Sequence, residues 1–270
     1  MKLAYTTLAC PKWDIDTIIA KTKAYGFDAV DFRGYLGEND IPKRPEFSAK
    51  RKDTARKFAD GGVPVIGFSS SACLTKGSAA LEEIRAYLPV CTAFGARFLR
   101  IYGGTLAGLS RTEAVKVAAR CCRPAADMAG DSGVTLLIET HDEWVDTPLL
   151  RSLMEAIDSP AVGVLWDVHH PYRFADELPR KTWMALGQWI KNTHWKDSQA
   201  GKGHHDYTLC LMGKGDLPLR DIYRQLVNGG YDGPCTLEWE KRWVPQLDEP
   251  EVALPQYVEF MKKLAGDSHR

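Results

Sequence analysis

Eight short runs of apolar, β-branched or aromatic residues recur along this chain, near 2–9, 29–35, 63–70, 97–103, 134–140, 162–168, 190–196 and 234–240. Stretches with helical spacing of apolar positions separate them. Residues 13–25 carry Ile15, Ile18, Ile19 and Ala20, and residues 78–94 carry Leu81, Ile84, Leu88 and Cys91. Pro89 stands inside the second of these, which predicts a kink or an early helix end. Ser110 and Glu113 are spaced as a capping box ahead of a helix over 110–130, and further helices are expected over 218–228 and 250–265. Glycines punctuate the pattern: Gly26, Gly95, Gly133 and Gly230 each fall between a helical stretch and the next strand-like run. The phrases AYGFDAVDF and NGGYDGPCTLEW resemble each other, as an internal βα repeat would. Alternating strands and helices predict a parallel sheet with helices outside it. Eight repeats favour closure into a (β/α)8 TIM barrel, a single domain over residues 1–270. The open doubly wound alternative is disfavoured because no GxGxxG opens the first helix. The connection of about 198–217 is the longest, and a long connection after a barrel strand is expected over the active-site face.

Size and composition agree with this reading. A barrel of this kind takes roughly 250 residues, and the chain has 270, with 44% of them hydrophobic. Lys plus Arg and Asp plus Glu both total 35, so the balanced charge gives no sign of a nucleic-acid or membrane partner. The seven cysteines lack CxxC spacing, which argues against a zinc ribbon or disulfide framework and for reduced thiols in a cytoplasmic protein. The N-terminal stretch turns polar too soon for a signal peptide. A homo-oligomer is left open.

Four successive strand-like runs end in metal-binding side chains: Glu139 in TLLIETH, Asp167 in GVLWDVHH, His194 in IKNTHWKD and Glu238 in CTLEWE. Glu139 to Asp167 spans 28 positions and Asp167 to His194 spans 27, each about one βα unit; His194 to Glu238 spans 44, one unit plus the long loop. This spacing sets all four at the same end of strands five to eight, where they can meet above the barrel axis. Three oxygen ligands and one nitrogen suit a hard or borderline divalent cation. Taken singly, any of these acids would read as a solvated group or a helix cap. Two competitors share the right parity: Glu240 with Glu238, and His169 with Asp167 if that strand continues.

Further motifs join these positions: IE at Ile138-Glu139, DxxH from Asp167 to His170, HxKD from His194 to Asp197, GxGxxP from Gly213 to Pro218, then GYDG and LE up to Glu238. In order and spacing the chain resembles the sugar phosphate isomerase/epimerase group of the xylose-isomerase-like barrel superfamily, over nearly its whole length and most strongly from Val134 to Glu240. The resemblance implies that Glu139, Asp167, His194 and Glu238 hold one divalent ion, manganese or magnesium, and that His170 lies near the substrate. It also implies a metal-dependent isomerase or epimerase of a sugar or related polyol ketone, with Glu139 and Glu238 as paired acid and base and proton transfer through a metal-stabilised enediolate.

The remaining candidates are substrate contacts. His141 follows Glu139 by two positions and faces inward. Lys196, two beyond His194, is placed either to neutralise oxyanion charge or as a solvated lysine. Asp197 would orient the loop or Lys196, and Arg33 would bind an anionic substrate group or form a surface ion pair. Trp166, Trp195 and Trp239 have the opposite parity to their ligand neighbours and should pack against the helices. Trp144 and Trp243 would wall the site or simply pack loops, and His204 and His205 are expected to be exposed. Two alternatives remain beside the isomerase: a metal-dependent dehydratase of the keto-inositol or dehydroshikimate type, and a non-catalytic carbohydrate-binding subunit. A DNA-repair endonuclease on the same barrel is disfavoured, because Ser69 to Ser71 and Tyr102 to Gly104 stand where extra zinc-binding histidines would be needed.

Overall fold

The computed structural model describes residues 1–203 and 205–267. Eight parallel strands close into a barrel: β1 (Lys2–Thr6), β2 (Ala29–Phe32), β3 (Val65–Cys73), β4 (Phe98–Tyr102), β5 (Thr135–Glu139), β6 (Val162–Asp167), β7 (Ile190–Trp195) and β10 (Pro234–Leu237). Between β7 and β10, β8 (Asp197–Ala200) and β9 (Tyr207–Cys210) form an antiparallel hairpin. The outer layer holds α1 (Ile15–Tyr25), α2 (Arg51–Asp60), α3 (Ser78–Phe94), α4 (Arg111–Asp131), α5 (Thr147–Ile157), α6 (His170–Ala175), α7 (Pro179–Leu186), α8 (Leu219–Asn228) and α9 (Pro250–Asp267). This is a single-domain TIM barrel. No described helix is long and apolar enough to cross a membrane.

Local chemistry fixes the element ends. Asp14 caps α1 by accepting from the Thr17 N–H at 2.8 Å, and α1 stops at Gly26, whose φ of 80° lies where a side chain would be strained. The box predicted for α4 is present, with Ser110 and Glu113 bonding each other's backbone N–H. Helix α3 spans the expected 78–94 and runs through Pro89, so the early end that Pro89 allowed does not occur. Proline removes one helical hydrogen bond and crowds the carbonyl four residues earlier, a cost of about 3 kcal/mol. Pro89 and Arg85 both face solvent, where water can take the freed carbonyl, while Ile84, Tyr87, Leu88, Val90 and Cys91 are buried and hold the helix down.

The main core lies between barrel and helices and contains Trp166, Trp195 and Trp239, turned outward as their parity requires. Inside the barrel a second, small apolar layer of Phe98, Leu137 and Leu165 is stacked alone. Two residues further along the same strands, on the same face, stand Arg100, Glu139 and Asp167, all buried. The interior thus changes from apolar to charged toward the C-terminal ends of the strands.

Candidate active site

At that end, Glu139 of β5, Asp167 of β6, His194 of β7 and Glu238 just after β10 each offer one ligand atom within 4.8 Å of the others. All four side chains are buried. His194 Nδ1 lies 3.2 Å from Glu238 Oε1 and 3.6 Å from Glu139 Oε1. Neither His194 ring nitrogen has a hydrogen-bond partner among the described residues. A buried imidazole lacking such a partner, ringed by three carboxylates, fits a divalent ion by donor chemistry.

The strands pin these groups. The Thr140 hydroxyl accepts from the Asp167 N–H at 3.0 Å, and Asp167 Oδ1 accepts from the N–H groups of His169 (2.9 Å) and His170 (3.3 Å). β6 has ended at Asp167, so the two histidines diverge. His170 turns to the cavity, its Nδ1 2.9 Å from Thr140 O and its Nε2 3.5 Å from Asp167 Oδ2. His169 instead places Nε2 3.0 Å from the Ser198 hydroxyl and packs on Tyr207. Of the two glutamates of like parity, Glu238 joins the cluster, whereas Glu240 reaches Lys196 at 2.6 Å.

Lys196 is not solvated. It is 1% exposed, and its ammonium lies 3.0 Å from Asp167, 2.5 Å from Glu238 and 3.4 Å from His170 Nε2. Burial opposes its charge, yet Asp167, Glu238 and Glu240 hold its pKa well above the usual lysine value. The same fields act on the neighbours. Burial would raise Glu238, but Lys196 and His194 keep it well below the carboxylate range. Burial lifts Asp167 to about 6 against the pull of Lys196. Burial also works against a charged His194, but Glu238 and Glu139 overcome it and lift the ring to about 10. Burial, then Lys196 and His141, push His170 down to about 3, so its ring is neutral at pH 7.

Arg100 escaped the sequence reading. It is 1% exposed inside the barrel, 3.2 Å from Glu139 Oε2, with its guanidinium 4.0 Å over the Tyr102 ring. The signal was there in FLRIYG, a cation at inward parity within an apolar strand. Arg33 is likewise buried rather than on the surface. The role of Asp197 is also resolved: its Oδ2 accepts from the Gly213 and Gly215 N–H groups at 2.9 Å each, and its Oδ1 from the Ser198 N–H. A side chain on Gly215 would collide with Asp197, which accounts for the GxG spacing.

A cavity of ≈ 690 Å³ opens above the cluster, lined by Arg33, Tyr102, Glu139, His141, Lys196 and Glu238 among others. His141 packs on Tyr102, ring centroids 4.6 Å apart, with Nδ1 3.1 Å from Asp142. Tyr207 of β9 brings the long connection into the cavity wall, and the half-exposed Trp243 adds to it. Trp144 packs beneath, its indole N–H donating to Gly104 O at 2.6 Å. His205 is exposed, 3.4 Å from Arg173 O, and His204 lies outside the described residues.

Comparison with known proteins agrees with the fold. Residues 19–264 match the family described as xylose isomerase-like TIM barrel, and the chain belongs to it. Fructoselysine 3-epimerase of Escherichia coli O157:H7 is 27% identical over 108 residues, 40% of this chain and 36% of that protein. A 3-oxo-isoapionate decarboxylase of Pectobacterium atrosepticum is 25% identical over 151 residues, 54% of this chain and 53% of that protein. The chain thus spans less than two thirds of these curated relatives. Among solved structures, the IOLI protein with a bound zinc atom superposes with a TM-score of 0.84 at 14% identity, covering 99% of both chains. At that identity the likeness is one of fold.

Proposed function

We propose that this xylose isomerase-like barrel is a divalent-metal-dependent isomerase or epimerase of a sugar or related polyol ketone. The observation that carries the reading is the convergence of Glu139, Asp167, His194 and Glu238 within 4.8 Å beneath a cavity lined by both charged and aromatic side chains. These four residues would hold the ion, manganese or magnesium. When bound, a divalent cation supplies Lewis acidity to a carbonyl oxygen, which makes the neighbouring C–H acidic.

The chain's own residues then account for the proton. Arg100 keeps Glu139 ionised and Lys196 keeps Glu238 ionised, so each can act as a base at neutral pH. The two glutamates come from strands on either side of the β6–β7 pair, so one would take the substrate proton and either return it itself to the neighbouring carbon, or leave the other glutamate, once protonated from solvent, to deliver a proton to the opposite face. The Lys196 ammonium lies against Glu238 and Asp167, where it would offset charge developing on a substrate oxygen. The neutral His170, and His141, which against burial Asp142 and Glu139 hold above the usual imidazole range, line the wall and would hydrogen-bond hydroxyl groups.

The test is a screen of manganese- and magnesium-loaded protein in D2O against ketoses, aldoses and keto-inositols, reading product mass and deuterium content. Isomerised or epimerised product of conserved mass with solvent deuterium is expected. Glu139→Gln and Glu238→Gln should each lower turnover by roughly 10²–10⁴-fold. Full activity after exhaustive chelation, or near-normal rates in both variants, would refute the reading. Loss of water from the product would favour a dehydratase, and binding without exchange a carbohydrate-binding subunit.

A further inference from the structure

Arg33 is a cation of the cavity that no acid pairs directly among the described residues. It is 8% exposed, lines the cavity wall, and among the described residues it has no ion pair; its Nη1 is buried without a hydrogen-bond partner. Its backbone is fixed. The Thr7 hydroxyl accepts from the Arg33 N–H at 2.9 Å and donates to Gly34 O at 2.6 Å, locking the exit of β2 to that of β1. The nearest acid on its own strand face, Asp31, is turned to Ser69 Oγ at 2.9 Å. A buried guanidinium without a partner costs several kcal/mol, so a fold that keeps one facing a cavity has a use for it there.

The charges around the site sharpen this. Asp31, buried against Ser69, is pushed by burial toward its neutral form, while Glu139, Asp167, Glu238 and Glu240 bring four negative charges and Lys196 and Arg100 two positive ones. The divalent ion of the proposed function supplies the other two. Asp142 faces His141 at 3.1 Å and Glu143 is exposed to water. Arg33 is then left with one positive charge and a planar fork of donors, which matches a carboxylate in both charge and geometry. A phosphate dianion would call for a second cation or a nest of backbone N–H groups at the same spot.

We infer that the substrate is an anionic sugar ketone, a polyhydroxy keto acid whose carboxylate is bound by Arg33 while its carbonyl end faces the Glu139–Asp167–His194–Glu238 cluster. This rests on the sugar-ketone reading and narrows it to a substrate class.

The experiment titrates the manganese-loaded protein calorimetrically with D-fructuronate, D-fructose and D-fructose 6-phosphate, which share a skeleton and differ at one end. The wild type should bind D-fructuronate at least about tenfold tighter than D-fructose, as a charge-assisted hydrogen-bonded pair gives. Arg33→Met should lose most of that difference. It should also raise the thermal midpoint of the ligand-free protein by roughly 2 °C or more, because an unpaired buried charge is removed. Equal affinity for the two hexuloses, a preference that survives in Arg33→Met, tighter binding of the 6-phosphate than of D-fructuronate, no binding of any of the three, or a lowered midpoint would each overturn the inference. Its failure separates from that of the proposed function. Arg33-dependent binding of D-fructuronate without deuterium exchange removes the isomerase and keeps the carboxylate site, whereas metal-dependent exchange on neutral ketoses without a carboxylate preference does the reverse.

Discussion

Replacing Arg100 by methionine removes a buried cation and keeps most of its apolar stem, leaving the Glu139 carboxylate 1% exposed without its guanidinium partner. Breaking a buried pair in this way costs about 3–5 kcal/mol. The low end applies here, because the 3.2 Å contact lacks hydrogen-bond geometry and His194 remains 3.6 Å from the same carboxylate. About 3 kcal/mol corresponds to a fall of roughly 6–12 °C in thermal midpoint for a chain of this size. The variant should therefore melt that much lower in the presence of a chelator. Glu139→Gln leaves the complementary charge stranded and should cost a similar amount. In the double variant neither charge remains, so the two losses should not add, and a coupling of about 3 kcal/mol should appear in the cycle. Manganese should restore Arg100→Met more than it raises the wild type, since a cation bound to Glu139 replaces the missing one. Thermal unfolding followed by circular dichroism, with and without metal, measures all four proteins. A midpoint within 2 °C of wild type for chelated Arg100→Met, or strictly additive single and double variants, would refute the reasoning.

Two further outcomes follow from the site. His194, lifted to about 10, carries a proton at pH 7 that an incoming metal must displace. Affinity should then rise with pH through the neutral range, by about tenfold per unit for each proton released, and calorimetry in buffers of different ionisation enthalpy should count about one proton; a pH-independent affinity would contradict this placement of charge. Asp197→Ala should free the Gly213 and Gly215 N–H groups and destabilise the protein by about 1–3 kcal/mol, read as a lower denaturation midpoint and faster hydrogen exchange over 211–217; protection equal to wild type would show that the contacts contribute little.

Strand parity and the spacing of βα units made much of this structure readable in advance. A barrel strand alternates its faces strictly, so the inward positions of β5, β6, β7 and β10 could be counted, and Glu139, Asp167, His194 and Glu238 do converge. What the chain did not disclose is which charges are buried against which. Lys196 read equally well as a solvated lysine, because its partners Asp167, Glu238 and Glu240 reach it from other strands. Arg100 was passed over for the same reason. Arg33 was left between a substrate anion and a surface ion pair, and it stands just past the end of β2, buried at the cavity wall. Strand ends ran long in the reading: 2–9 became Lys2–Thr6, because Thr7–Ala9 turns into a short 3-10 helix once the sheet ends. The β8–β9 hairpin was missed outright, since DSQA and YTLC are short, half polar and without the alternation of a half-buried strand.

The Asp197 clasp separates two tasks that the chain would otherwise have to perform together. Its carboxylate closes the base of the excursion between β7 and α8 just one residue past Lys196, while residues 201–203, 205 and 206 lie beyond that closure. Residues there can be exchanged or lengthened without moving the strand that carries His194 and Lys196. The fold thereby offers a graft point: a place where the length and make-up of the excursion can drift, or be redesigned, while the chemistry below stays in register.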